Sequence, residues 1–399
     1  MPVINRIADY AEDMRTWRHW LHRHPELGFA LHRTAGFVAE RLRAFGVDEI
    51  HEGIATTGIV ALINGRGEGP TIGLRADMDA LPIQELSGVD HASETPGVMH
   101  ACGHDGHTTM LLGAARYLAE TRNFSGRVAL IFQPAEEDGA GGDVMVKAGI
   151  MERFAIARVF GMHNAPENPA GHFAVAPGPV MAGTAEFHVT VTGNGGHGAM
   201  PHTCIDPIPP LIAMVQAFDT IVSRSNKPTD DLVISVTQLN AGSATNVIPG
   251  VATFAGTVRA FDAGVIDMVE RRMGEVVAGV AAAFGVGADL VYDRGYPPTI
   301  NDPDAAALAA LVASDVVGAA RVGPGEPVMG AEDFAYMLAA RPGAYLFLGQ
   351  GDTPFCHHPA YDFNDAIAPV GASFFARLVE VAQPRTGQGS GADGSLRRE

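Results

Sequence analysis

The sequence predicts an α/β protein: a mostly parallel sheet whose strands alternate with helices, interrupted by an inserted unit of ferredoxin-like βαββαβ order. Three observations carry this expectation. Between residues 56 and 166, near-continuous apolar runs such as GRVALIFQ alternate with helical stretches, as strands covered on both faces do. Near Gly183 the pattern changes to in-and-out alternation, AEFHVTVTG, the mark of a half-exposed antiparallel strand. At 399 residues the chain exceeds one ordinary core, so two domains are expected.

Taken in order, residues 4–45 read as helical, with a break at His24-Pro25 because the residue before proline disfavours helix. The strand series starts with TTGIVALIN (56–64) and PTIGLRADMDALP (70–82). A helix follows the cluster MHACGHDGHTTM (99–110) and leads to the apolar strand GRVALIFQPAEE (126–137), a short helix near 142–148, and the strand ARVFGMHNAP (157–166). Strand 185–193, a helix over 207–223, strands 232–240 and 250–260, a helix over 264–284 and strand 288–296 then give the βαββαβ order. The expected domains are residues 1–183 plus 295–382, and an insert of 184–294. Residues 383–399, rich in Gly and Ser, are expected to be disordered.

Composition narrows the function. Lys and Arg number 27 against 45 Asp and Glu, a net −18 without any basic stripe, which disfavours nucleic acid and anionic membrane as partners. No apolar run is long enough to span a bilayer, and the mixed-charge N-terminus lacks a signal-peptide core, so a cytoplasmic protein is expected. Three cysteines make no disulfide framework.

The chemistry concentrates at strand ends, where open α/β sheets place their sites. Cys102, His104, Asp105 and His107 stand together at the entry to a helix, donors that suit a borderline-soft divalent metal. Glu136 and Glu137 end the next strand. Successive strand residues face opposite ways, so both serve one site only if a turn intervenes, and Pro134 and the glycines nearby supply one. Their bland reading is an acidic helix N-terminus. His163 ends a further strand, where a structural histidine is the ordinary alternative. His357 and His358 precede a proline-fixed turn, with only one of them expected to reach a metal. His19, His22 and His24 read as surface or packing residues, and His188 as solvated.

LRADMDALP, MHACGHDGHTTM, FQPAEE, GMHNAP, GGHGAMPH, TNVIPG, MGAEDF and HHPAYDFND occur in the order found in the aminoacylase/hippurate hydrolase branch of the di-metal amidohydrolases, which this chain resembles from residue 18 to about 382. The resemblance implies that Cys102, His104, Glu137, His163 and His357 hold two divalent cations (Zn, Mn, Co or Ni), with Cys102 bridging and Glu136 as general base. His357 is chosen over His358 because the family pattern is His, a variable residue, then Pro. Asp77 stands where more distant relatives have a histidine ligand, which leaves its contact with metal open. Asp79, Asp105 and His107 are expected to orient the ligands. Glu332 of AEDF has no settled role.

The same resemblance implies that the insert serves as a lid and dimerisation domain. Its His197, Asn246 and Arg259 match a set that reaches the active site of the partner subunit, His197 on the oxyanion and the other two on a substrate carboxylate. Pairing of Arg259 with Asp262 is the structural alternative. The implied partners are a small N-acyl-amino-acid substrate and further copies of the chain, as a homodimer or homotetramer. The implied reaction is hydrolysis of the amide of N-acyl-L-amino acids. A dipeptidase or carboxypeptidase using the same centre is the main alternative, and a catalytically silent metal-binding relative a remoter one.

Overall fold

A computed structural model describes residues 3–166 and 168–385. The segment from residue 386 onward, within the tail expected to be disordered, lies outside the described residues. In chain order the first elements are α1 (Ala11–Arg23), α2 (His32–Phe45), β1 (Glu49–Ile54), β2 (Gly58–Asn64), β3 (Thr71–Asp77), α3 (His104–Thr121), β4 (Arg127–Gln133), β5 (Ile156–Pro166) and β6 (Phe173–Ala174). Then come β7 (Gly183–Thr192), α4 (Ile208–Thr220), β8 (Leu232–Ala241), β9 (Val251–Ala260), α5 (Ala263–Phe284) and β10 (Gly287–Arg294). The chain ends with α6 (Pro303–Val317), β11 (Val322–Gly323), β12 (Gly343–Gly351) and α7 (Ala368–Ala382).

Two compact units result. The first takes the residues up to Gly178, Asn301–Glu326 and those from Tyr336 on. Its eight-stranded sheet runs β1-β2-β4-β3-β5-β12-β6-β11. The central neighbours β4, β3, β5 and β12 are parallel, while β1, β2 and the β12–β6 pair add antiparallel edges. β2 and β3 are buried almost end to end, as a sheet covered on both faces demands. The parallel register aligns Asp77 with Gln133 and Phe347 with His163, so these strands deliver their C-terminal residues to one edge. α3 is buried nearly all round from His104 to Ala115 and packs against α1 and α7. The chain stays anchored just past α7, where Ser125 N donates to Gln383 O at 2.9 Å.

The second unit spans Pro179–Ile300 with Pro327–Ala335. The latter segment is joined to it by Ala182 N, which donates to Val328 O at 3.1 Å and Gly330 O at 2.9 Å. Its antiparallel sheet runs β8-β9-β7-β10, and helices α4 and α5 fall at the positions of the βαββαβ order. Phe187, Val189, Phe254, Met214, Phe218 and Met273 fill the space between sheet and helices. Along β7 the intervening Glu186, His188 and Thr190 are exposed, so the alternation seen in the sequence reports a one-sided sheet. Asp262 caps α5 by accepting from Gly264 N and Val265 N, a contact worth about 1 kcal/mol. Among the described residues no helix is long and apolar enough to cross a membrane.

Candidate metal centre

Three turns build the centre at the strand edge. β3 ends at Asp77 and runs on to Asp79, whose buried carboxylate accepts the Glu136 N–H on Oδ1 and the Glu137 N–H on Oδ2, each at 3.0 Å. β4 stops at Gln133 and Ala135 takes a left-handed φ of 55°, the break that turns both glutamates to one side. Gly141 seals this turn by donating to Ala135 O at 2.9 Å; a Cβ there would strike Pro134 O. Between Cys102 and His104, Gly103 has φ 98°, and a Cβ would meet Asn164 Oδ1 at 2.2 Å. Finally, His357 N donates to Ala101 O at 2.7 Å, which brings the distant HHPAYDFND segment alongside the Cys102 turn.

Donor atoms converge in overlapping groups. Cys102, His104 and His163 form one set of ligand atoms within 4.8 Å of one another, and Cys102, Glu137 and His357 form another. Cys102 is common to both. His104, Glu136 and Glu137 make a third such group. Both ring tautomers are set by backbone: His104 Nδ1 donates to Asp79 O at 2.9 Å and His163 Nδ1 to Asn164 O at 2.6 Å. Each ring therefore directs its Nε2 to the donor groups, His163 Nε2 lying 3.3 Å from Cys102 Sγ. His357 Nε2 lies 3.3 Å from Glu137 Oε1. His358 instead accepts Ala360 N on its Nδ1 and stays exposed.

This arrangement fits divalent metal. Among the described residues, His104 Nε2 is buried without a hydrogen-bond partner, a costly state for a group that a cation would satisfy. Hydrogen bonding with Cys356, burial and the Glu137 carboxylate all push the Cys102 thiol well above its ordinary value, so a thiolate there calls for compensating positive charge. Burial lowers His163, which favours the neutral, ligating imidazole. Burial also opposes charge on His104, but Asp77, Asp79 and Glu137 outweigh it and raise that ring well above its usual range.

Asp77, His104 and His107 form a further group of close donors. Asp77 is nevertheless committed elsewhere: Oδ2 accepts Arg75 Nη1 at 2.6 Å and Oδ1 meets His107 Nδ1 at 2.6 Å. His107 Nε2 in turn lies 2.7 Å from Asn164 Oδ1. Burial would raise the Asp77 carboxyl, yet His104, Arg75 and His107 hold it well below the carboxylate range. A guanidinium in contact repels a cation, so the geometry suits Asp77 as an orienting group.

In the second unit the structure brings His197 beside Asn246. His197 pairs with Val247, and Gly198 N donates to Asn246 O at 2.8 Å. The exposed His197 accepts Ala199 N on Nδ1 at 3.0 Å. Arg259 lies on β9 opposite Val233 and Thr184, its Nη1 donating to Val258 O at 3.0 Å. The Asp262 partner considered from sequence is engaged in capping α5 instead. Glu332 is buried and accepts Phe334 N at 2.9 Å.

The sequence reading missed a buried ionic cluster behind the centre. Arg18 is 1% exposed and donates to Asp362 at 2.6 Å and Asp365 at 2.7 Å, with Asp105 at 3.6 Å. His22, expected as a surface or packing residue, is fully buried between Asp105 at 2.8 Å and Glu85 at 3.1 Å. Burial opposes its charge, but the hydrogen bonds with Asp105 and Glu85 prevail and lift it to about 9. The available signal was spacing: Arg18 and His22 are four residues apart, on the apolar face of α1 with Met14 and Leu21.

Known proteins resemble this chain along most of its length. A hippurate hydrolase from Campylobacter jejuni is 38% identical over 379 residues, spanning 95% of this chain and 98% of that protein. Thermostable carboxypeptidase 2 from Saccharolobus solfataricus is 38% identical over 369 residues, spanning 90% and 92%. A solved structure of a dinuclear metal binding peptidase from Bacillus subtilis matches with TM-score 0.84 at 33% identity, covering 94% of this chain and 99% of that one. The sequence profile of Peptidase family M20/M25/M40 matches residues 73–381. With that match and those near-full-length relatives, the chain belongs to peptidase family M20/M25/M40.

Proposed function

We propose that this protein hydrolyses the amide bond of N-acyl-L-amino acids, releasing a carboxylic acid and a free amino acid. The observation that carries the reading is Cys102, shared by two groups of metal donors with Glu136 close by. Similarity to a hippurate hydrolase along almost its whole length supports an N-acyl substrate. Similarity to a carboxypeptidase supports the runner-up, peptide hydrolysis at a free carboxyl terminus.

Cys102, His104, Glu137, His163 and His357 are the proposed ligands, and a thiolate, imidazole and carboxylate set suits Zn, Mn, Co or Ni. When bound, two such cations polarise the scissile carbonyl and acidify water, chemistry the side chains alone do not supply. Glu136 takes the proton from the attacking water on its carboxylate and returns it to the leaving nitrogen. Asp79 holds the Glu136 backbone while that proton moves. His197 is assigned to the developing oxyanion, and Asn246 and Arg259 to the α-carboxylate, where a planar guanidinium binds bidentately. The working form is taken to be a homodimer or homotetramer. Mixing Glu136→Ala with His197→Ala protein tests it: restored activity supports sharing between subunits, and no recovery despite subunit exchange counts against it.

The substrate reading is tested by amino-acid release from benzoyl-glycine, N-acetyl-amino acids and unblocked dipeptides. Turnover of the blocked compounds supports the proposal. Cleavage of dipeptides alone moves the activity to the peptidase reading.

A further inference from the structure

Cys356 stands at the metal centre yet belongs to none of the donor groups found among the described residues. It lies against Cys102. The hydrogen bond from His357 N to Ala101 O at 2.7 Å pins their two segments side by side, and the Cys356 thiol donates to Cys102 O at 3.8 Å. Asn164 Nδ2, anchored on Tyr361 Oη at 2.9 Å, donates to Cys356 Sγ at 3.8 Å and limits its freedom to swing away. Both are free thiols, Cys102 buried and Cys356 partly so.

We propose that Cys102 and Cys356 are an oxidation site, joining as a disulfide when the cations have left, and that the oxidised centre takes up no metal. The exclusion half rests on the reading of Cys102 as the shared ligand. A sulfur committed to a disulfide carries no thiolate charge to offer a cation, so ligation and oxidation compete for one atom. The co-reactant is a peroxide. One thiol attacks hydrogen peroxide to give a sulfenic acid and water. The second thiol displaces hydroxide from that sulfur, which leaves as water with the thiol proton. The S–S bond has then formed, two thiols have been oxidised, and one peroxide has been reduced to two waters. Reaching disulfide geometry asks for an approach of two side chains whose adjoining residues, Ala101 and His357, are already joined through the backbone.

The test uses full-length protein carrying Cys204→Ser, which leaves only the pair in question. Zinc uptake by the untreated, chelated protein is measured first. Hydrogen peroxide is then added, and thiols, disulfide-linked peptides and zinc uptake are followed. The expected result is loss of both thiols, a linked peptide pair containing Cys102 and Cys356, and loss of zinc uptake, all reversed by dithiothreitol. Zinc bound before the peroxide should suppress the link. With Cys356→Ser added, zinc uptake before oxidation should persist, whereas its loss after peroxide should no longer be reversed, because Cys102 proceeds to the sulfinic acid. Zinc uptake at the outset with no linked pair after peroxide overturns the proposal alone. A protein that takes up no zinc before oxidation contradicts the metal reading, and with it the exclusion half.

Discussion

Asp79 receives two consecutive backbone N–H groups, Glu136 on one carboxylate oxygen and Glu137 on the other, each at 3.0 Å. Its own backbone oxygen meanwhile takes His104 Nδ1 at 2.9 Å. One residue thus aligns the proposed base and two proposed ligands without itself supplying a metal donor. Asp79→Asn keeps the shape but replaces one acceptor with an NH2 facing an N–H. The expected outcome is metal affinity weaker by about 10–100-fold, with the fold retained, read by competition with a chelator. Unchanged affinity would remove Asp79 from this role.

Glu136→Gln should separate proton transfer from metal binding. Loss of a general base typically costs about 10²–10⁴ in kcat. Metal content per chain, measured by elemental analysis, should match wild type. Equal activity in the variant would refute the base assignment.

Arg18 neutralises a cluster that includes Asp362, Asp365 and Asp105. Arg18→Ala removes the buried cation shared by Asp105, Asp362 and Asp365 and leaves them with His22, His91 and His19 as partners, a loss that approaches the ~3–5 kcal/mol of a broken buried pair only for Asp105. Thermal unfolding should show a clear drop in midpoint. A shift no larger than that of an exposed arginine such as Arg15, paired with Glu12, would argue that water screens the cluster.

His22 makes stability depend on pH in a definite direction. Its folded value of about 9 exceeds the 6.5 of an unperturbed histidine, so folding binds its proton more tightly. The contribution is complete below about 6.5 and is lost as pH rises through about 9, on the order of 3 kcal/mol in all. Asp105 runs the other way: its lowered carboxyl contributes above the unfolded value of 3.8 and loses that contribution in acid. Denaturant unfolding at pH 6 and pH 9.5 should show a smaller fall for His22→Gln than for wild type. Parallel falls would show that His22 is not charged in the folded protein.

Much of this centre was legible in the sequence because its residues sit in long, ordered motifs at strand ends. Even the irregular turn carrying Glu136 and Glu137 could be foreseen, since strand geometry forbids two successive side chains from sharing a face and Pro134 and the glycines mark the break. Two features could not be read that way. His22 becomes an ionic link only through Asp105 and Glu85, 83 and 63 residues away, and helical periodicity reports burial without naming partners. Likewise Pro327–Ala335 joins the second unit through backbone bonds to the β7 approach, which leave no side-chain pattern behind.

The most direct test is a metal titration of chelated protein with benzoyl-glycine as substrate. Hydrolysis should vanish on stripping and return as Zn, Mn, Co or Ni is restored, levelling off when two ions are bound per chain, with Cys102→Ala failing to recover. Full activity in the stripped protein, or none with both ions bound, would contradict a Cys102-centred hydrolytic site.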